Sequence, residues 1–394
     1  MAETEDIRGA DGPTGVPFIT LDALRASSDA VLVDLRAPVE FDEDHLPGAV
    51  NAPLFENETR SFVGLLYKQF SPDAAFNEAR AAVLERVEGL VAEIAEAAGR
   101  PLPSEGLRER VAEMTAGGIA RAEADLLPHD VGAAPPGAVV LSCARGGLRS
   151  RSVVALLRAI GLEGAVGLEG GYRAVRKDAI DELERFEPPA RVVVLRGLTG
   201  VGKTLLLHRL ETLRPGSTLD LEALAAHRSS LLGMVGRAPR TQKAFEAGFA
   251  ARLRAGFPDG VAFVEGESRK VGDVVIPARV WEAMQGGVNV HVTASLARRV
   301  QVLEDDYLAD EAALPKLDEQ LRAVSARMEG APPLAEMLAG GRVHELVELL
   351  LVRYYDPLYI GSEKGKEYAH TVDADDPDRA AAEILAFSDG LARG

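Results

Sequence analysis

Short, wholly apolar runs alternate along this chain with longer stretches of helical spacing. Residues 30–35 (AVLVDL) and 138–142 (AVVLS) are runs of the first kind, the pattern of strands buried on both faces of a parallel sheet. Residues 150–159 follow the second run with helical spacing and stop near Gly161. Between the two runs lies a long helical segment, about 73–99, and a second helical patch near 105–125; the AAPPG turn at 133–137 leads into the second run. The pattern restarts near Ala190. Residues 191–196 (RVVVLR) predict a strand, 197–204 a glycine-rich loop and 204–213 a helix, with further strands at 260–264 and 288–292. Residues 297–392 read as mostly helical, broken by the aromatic cluster at 354–359. Strands alternating with helices predict an α/β fold of parallel sheets covered by helices. The expected organisation is a loose tail over 1–16, a first domain over 17–186 with a helical insertion at about 60–130, and a second domain over 187–394 with a helical C-terminal region.

A chain of 394 residues, 47% apolar, has enough material for two cores. No stretch approaches the ~20 apolar residues of a membrane span. The acidic N-terminus lacks a secretion pattern, and the one cysteine permits no internal disulfide. The expected location is therefore the cytoplasm, without a membrane partner. A net charge of −17 argues at first against nucleic acid. Its distribution alters that picture: residues 191–300 carry more Lys and Arg than Asp and Glu, concentrated at Arg228, Arg237, Arg240, Lys243, Arg252 and Arg254. Such a region can hold polyanions, although an arginine-rich helix with a solvated face has the same composition.

Two loops carry chemistry. Ser142-Cys143-Ala144-Arg145-Gly146-Gly147-Leu148-Arg149-Ser150 lies between a predicted strand and a predicted helix. Gly146 and Gly147 let successive N–H groups turn inward, the helix after Leu148 adds its positive end, and Arg145 and Arg149 add full charges. These surroundings lower a thiol's pKa, and they suit a sulfur or selenium held as a persulfide-like adduct. The second loop, Gly197-Leu198-Thr199-Gly200-Val201-Gly202-Lys203-Thr204, fits G-x-x-x-x-G-K-[ST] in the strand-to-helix context that the motif requires. Its glycines admit phosphates to the backbone, Lys203 supplies a point charge, and Thr204 can bind Mg²⁺. Asp220, Glu265 and Glu267 are candidates to act in acid–base chemistry or to hold that ion. The loop specifies a polyphosphate without saying which.

The first loop, preceded by Val33-Asp34-Leu35-Arg36, Glu40-Phe41 and His45-Leu46-Pro47-Gly48-Ala49-Val50-Asn51 and followed by Leu168-Glu169-Gly170-Gly171-Tyr172, resembles the rhodanese family. That likeness implies a sulfur- or selenium-carrying Cys143, with Asp34 and Arg36 in structural roles beside it. A rhodanese-like domain joined to a P-loop NTPase-like domain resembles one family over nearly the whole chain, the tRNA 2-selenouridine synthases. The shared segments are Cys143–Ser150, Val63-Gly64-Leu65-Leu66-Tyr67-Lys68-Gln69, Leu219-Asp220-Leu221-Glu222 with His227-Arg228-Ser229-Ser230, Glu265-Gly266-Glu267-Ser268 with Val271-Gly272 and Ile276-Pro277, and Tyr354-Tyr355-Asp356-Pro357-Leu358-Tyr359. Ala144 stands where that family has Trp, Ser229 where it has Gly, and residues 101–136 align with none of its segments.

This resemblance implies a transferase that converts wobble 2-thiouridine of tRNA to 2-selenouridine through an S-geranyl intermediate. Geranyl diphosphate and selenophosphate are then the substrates, with no tightly bound cofactor and with Mg²⁺ as a candidate ion. The phosphate loop would cradle a diphosphate or selenophosphate, and Cys143 would present selenium. His227, Arg228, Arg237, Arg240, Lys243 and Arg269 would hold tRNA. The alternative is a rhodanese sulfurtransferase fused to an ATP-dependent kinase or NTPase, which predicts ATP turnover. A non-catalytic redox and nucleotide sensor is a further alternative, opposed by the presence in one sequence of both a reactive Cys143 and a complete Lys203/Thr204 pair.

Overall fold

The computed structural model describes residues 15–228, 235–308, 314–328, 330, 332–363 and 365–391. The expected tail lies outside the described residues as far as position 14, as do Ser229 and Ser230, and Val16 already belongs to a strand. The chain forms two compact units that divide between Asp178 and Ala179. This point falls inside the helix Gly171–Arg185 rather than after it.

The first unit is built on strands β1 (Val16–Ile19), β2 (Val31–Asp34), β3 (Val50–Asn51), β4 (Pro128–Asp130), β5 (Val139–Ser142) and β6 (Ala165–Leu168). All pair in parallel, in the order β3-β2-β5-β6-β1-β4. The apolar runs of β5 and β6 are buried along their whole length, as expected of central parallel strands. The insertion is part of the core. Val87, Leu90, Val91 and Ile94 of the helix Pro72–Ala97, with Leu107 and Val111 of the helix Leu107–Thr115, pack in one cluster with Val33, Leu35, Val139 and Leu141. The unplaced segment therefore seals one face of the sheet, and its tail supplies the edge strand β4. The predicted patch at 105–125 is two helices, because Gly118 takes a left-handed φ of +74° between Leu107–Thr115 and Gly118–Asp125.

The second unit holds β7 (Arg191–Arg196), β8 (Thr218–Leu219), β9 (Val261–Glu265), an antiparallel hairpin of β10 (Lys270–Val271) and β11 (Val274–Val275), β12 (Val288–Thr293) and β13 (His370–Asp373). The five-stranded sheet is parallel throughout, in the order β13-β12-β7-β9-β8. Two expectations for the C-terminal third need correction. The aromatic cluster does not break the helix: Val343–Leu350 runs through a π-helical turn, Leu351–Tyr355, into the helix Asp356–Glu363. Pro357 has no N–H to donate, and the widened turn just upstream accommodates that loss. The region also returns a strand, β13, to the sheet beside β12.

Candidate functional site

In the first sheet β2 and β5 are paired with Asp34 beside Ser142, and the chain leaves them in opposite directions, toward β3 and toward β6. Such a switch point opens a crevice at the carboxyl ends of the strands, and Cys143 stands there. Its side chain is buried, at 2% exposure. Ser150 Oγ lies 3.2 Å from the sulfur and 3.1 Å from the Gly147 carbonyl, so its one proton can serve either. Burial pushes the thiol up, but the Arg149 charge, the Ser150 hydroxyl and the N–H groups of Arg145 and Ser150 outweigh it and hold it below the ordinary thiol range. Arg145 is exposed, Gly146 is buried, and Gly147, Leu148 and Arg149 lie partly buried at the start of the helix Leu148–Ala159.

The turn at 170–172 closes over this loop. Gly171 has a φ of +56°, and a Cβ there would stand 2.1 Å from the Cys143 carbonyl, so only glycine permits the approach. Tyr172 N–H then donates to that carbonyl at 2.9 Å, and Arg173 N–H to the Ala144 carbonyl at 3.1 Å. The Tyr172 hydroxyl donates to Asp44 at 2.7 Å, and burial together with that carboxylate pushes its pKa well up. Arg36 lies 3.7 Å over the Tyr172 ring, bonds both oxygens of Asp34, and donates to the Asp44 carbonyl at 2.7 Å. Asp34 and Arg36 are thus braces for the turn that holds the cysteine loop. Asp44 completes this brace, and its position before His45-Leu46-Pro47 was the only sequence signal for it.

In the second unit the phosphate loop leaves the central strand β7. Gly197 has a φ of +150°, and a Cβ there would stand 2.2 Å from the Val292 carbonyl. Gly202 precedes the helix Lys203–Leu213. Lys203 Nζ donates to the Gly197 carbonyl at 3.0 Å and lies 6.0 Å over the Tyr359 ring. The loop is clipped from behind: Arg299 Nε donates to the Thr199 carbonyl at 2.9 Å, and its guanidinium pairs two-pronged with Asp356 at 2.5 and 3.1 Å. Arg299 had no sequence signal, and Asp356 and Tyr359 were visible only as part of an aromatic motif without a task.

Register sets Glu265 beside Leu195, at the mouth of the same loop. Glu265 is fully buried; burial first, then the nearby Glu222, Asp220 and Glu267 charges, raise its pKa well above the carboxylate range. Its Oε2 is 3.2 Å from the Thr204 hydroxyl, whose other neighbour is Glu222 at 3.4 Å; the Glu222 N–H donates to Oε1 at 2.8 Å. Glu222 therefore joins the candidates. Asp220 caps the helix Leu221–Ala225 and meets His208 at 3.1 Å, at the edge of this group. Glu267, also buried, lines the cavity of about 390 Å³ that opens over Gly200, Gly202, Lys203 and Thr204. Val201 is buried beneath the loop.

The basic residues separate into groups. Arg228 pairs with Asp306, donates to the Val235 carbonyl at 2.7 Å, and lines the cavity together with Arg237. The His227 ring packs against Gly272, and burial holds its pKa low. Arg252 donates to the carbonyls of Thr218, Gly256 and Gly216, and Arg254 meets Glu182 at 3.6 Å. Arg240 and Arg269 are exposed, and Lys243 lies on the first turn of the helix Gln242–Arg254. Gln242 bonds Val275 in both directions and so ties that helix to the β10–β11 hairpin after Arg269.

Comparison with known proteins adds an independent likeness. The family model described as the tRNA 2-selenouridine synthase AAA domain matches residues 190–339. A tRNA 2-selenouridine synthase of Pseudomonas fluorescens is 32% identical over 86% of this chain and 90% of its own. One from Nitrosomonas europaea is 29% identical over 88% and 93%. Among solved structures, the N-terminal domain of a Clostridium difficile 630 protein described as ATP/GTP-binding is 27% identical over 41% of this chain and 96% of that one, with a TM-score of 0.30, too loose a likeness to bear on the site.

Proposed function

We infer the reaction from a premise that these likenesses establish: the chain belongs to the tRNA 2-selenouridine synthase family. It is a transferase that modifies tRNA, introducing selenium at the wobble uridine. We assign this chemistry to two steps in two units. First, the C2 sulfur of 2-thiouridine attacks C1 of geranyl diphosphate; the C–S bond forms, the C–O bond breaks and diphosphate leaves. Alkylation turns a poor leaving group into a good one. Selenium from selenophosphate then adds at C2, geranylthiolate departs and takes a proton, and water cleaves the P–Se bond to give phosphate.

The observation that carries this reading is the pairing, in one chain, of a complete phosphate loop with a buried thiol held below its usual pKa. Lys203 and the loop N–H groups offset charge on the departing diphosphate, where it develops in the transition state. Glu265, whose pKa is raised by burial and by the neighbouring Glu222, Asp220 and Glu267 charges, and the carboxyl groups of Glu222, Glu267 and Asp220 manage the protons of this step. Among the described residues no three His, Cys, Asp or Glu form a group able to hold a metal. Thr204 and Glu222 fit the part-set that Mg²⁺ takes when phosphate oxygens complete its shell, and the bound ion would neutralise the leaving group. Cys143 serves the second step, where its loop holds the selenium nucleophile. Arg237, Arg240, Lys243 and Arg269 bind the tRNA backbone, and the location is the cytoplasm.

The test is incubation with 2-thiouridine tRNA, geranyl diphosphate and selenophosphate, followed by mass spectrometry of the digested nucleosides. Lys203→Ala is expected to abolish geranylation. Cys143→Ser is expected to leave geranylation intact and abolish selenation. Absence of both modified bases with the unaltered protein overturns the reading, and loss of the same step in both variants overturns the division of labour.

A further inference from the structure

The cavity over the phosphate loop is larger and less polar than a phosphate needs. Its volume of about 390 Å³ is in the range of small-molecule sites. Beyond Lys203 and Thr204, Leu205, Val302 and Leu303 with the Tyr359 ring form an apolar patch in a wall that otherwise carries charged side chains, Glu267, Arg298 and Asp306 among them. Their placement follows from the two helices. Leu205 stands in the first turn of Lys203–Leu213, directly after the phosphate-binding pair. Val302 and Leu303 stand one turn beyond Arg298 and Arg299 on the helix Leu296–Leu308, and Asp305 and Asp306 follow one turn later. Residues at these spacings share a helix face. That face thus presents Arg298, an apolar turn and the acidic pair Asp305 and Asp306 to one cavity, while Arg299 ties the same helix to the phosphate loop through the Thr199 carbonyl.

Tyr359 has a definite aspect in this cavity. Its ring presents a face to the Lys203 ammonium, at 6.0 Å from the ring centroid, so the face is turned toward the end of the loop where a diphosphate's charge is neutralised. The ring is held there by the helix Asp356–Glu363, itself anchored through the Asp356–Arg299 pair. When an allylic diphosphate ionises, positive charge develops on the allyl carbons next to the departing phosphate. An aromatic face is attracted to such a cation when water is excluded.

We propose that Leu205, Val302 and Leu303 form the hydrocarbon subsite of the donor, and that Tyr359 is a catalytic residue whose ring face stabilises the allylic cation as the C1–O bond breaks. This inference rests on the reading of the donor as an allylic diphosphate. The C–O electron pair leaves with diphosphate at Lys203, the tRNA sulfur supplies the pair that forms the new C–S bond, and the N3 proton of the base is given up to a carboxylate of the site. No oxidant or reductant takes part.

The full-length protein, 2-thiouridine tRNA and geranyl diphosphate suffice to test it, with single-turnover geranyl transfer at saturating donor as one readout and inorganic diphosphate binding as the other. Tyr359→Phe keeps the ring face and is expected to transfer at within about threefold of the unaltered rate. Tyr359→Leu is expected to slow transfer about 30-fold, the size of a water-excluded cation–π contact, with diphosphate affinity unchanged. Mono-, di- and trifluorophenylalanine at position 359 preserve shape while draining the ring face, and are expected to slow transfer progressively. Val302→Asp is expected to raise the donor KM at least tenfold while inorganic diphosphate still binds. A flat response to fluorination, or equal losses in Tyr359→Phe and Tyr359→Leu, overturns the role of the ring. An unchanged donor KM in Val302→Asp overturns the subsite. If the unaltered protein binds inorganic diphosphate but transfers no geranyl group, the donor reading fails, and this inference fails with it.

Discussion

At the scale of single residues, one ionisable group at each loop, Cys143 and Glu265, is held away from its ordinary pKa, in opposite directions. Cys143 is held low despite burial, with Arg149 the largest favourable influence and Ser150 next. Its thiolate therefore persists to lower pH than a free thiol's, and selenation should decline as pH falls through the folded pKa. Because Cys143 is the only cysteine, alkylation followed by intact mass reports on it alone. The midpoint of rate against pH should move upward in Ser150→Ala and further upward in Arg149→Ala; midpoints equal to that of the unaltered protein would refute the assignment. Glu265 is raised by burial and by three neighbouring carboxylates. A raised acid contributes stability in its protonated form, and that contribution is lost as pH climbs through its folded pKa. Glu265→Gln, which imitates the neutral acid and keeps the contacts to Glu222 N–H and Thr204, should flatten the fall of Tm with rising pH and leave Tm near its neutral value. Both loops were legible in the sequence because each packs its chemistry into a few consecutive residues. Asp44 and Arg299 were not, and Glu222 was visible only inside a shared segment without a task, since their tasks come from topology: each meets its partner only when separate elements are brought side by side.

At the scale of elements, the π turn at Leu351–Tyr355 shows what periodicity misses. Pro357 and a run of aromatics look like a helix terminator in one dimension, yet the helix continues and uses its altered pitch to aim Asp356 at Arg299 and Tyr359 at Lys203. Strands β7, β9 and β12 were readable as apolar runs, whereas β8, β3 and the hairpin strands are two residues long and carry no period at all. The clip makes a quantitative prediction. Asp356→Ala leaves Arg299, at 6% exposure, without its carboxylate. Removing one partner of a buried pair costs about 3 kcal/mol at the lower end of the range, suited to an Asp356 that is itself partly exposed. The second unit should lose roughly 6–12 °C of Tm, and inorganic diphosphate should bind more weakly as Thr199 loses its support. Calorimetry and titration test the two effects; a destabilised protein that binds diphosphate normally would show that the pair serves the fold and not the loop.

At the scale of the whole molecule, a chain at −17 has to hold a polyanion. Repulsion from the acidic remainder is long-ranged but screened by salt within about 8 Å under physiological conditions, so a local basic surface can prevail at contact. The sequence shows the basic stretch but cannot separate cations committed to the fold from those turned outward. Arg252 spends its donors on three carbonyls and Arg254 meets Glu182, whereas Arg269 lies exposed and Arg240, also exposed, makes one bond to the Leu224 carbonyl at 3.3 Å. Phosphate contacts release counterions, so log affinity falls linearly with log salt, and each contact contributes a little under one to the slope. Arg240→Ala and Arg269→Ala should therefore each weaken tRNA binding for all sequences alike and reduce the slope by about one. Arg252→Ala should lower Tm and leave the slope unchanged. Binding isotherms at several salt concentrations decide this: if Arg252→Ala changes the slope and the other two do not, Arg240 and Arg269 lie outside the nucleic-acid surface.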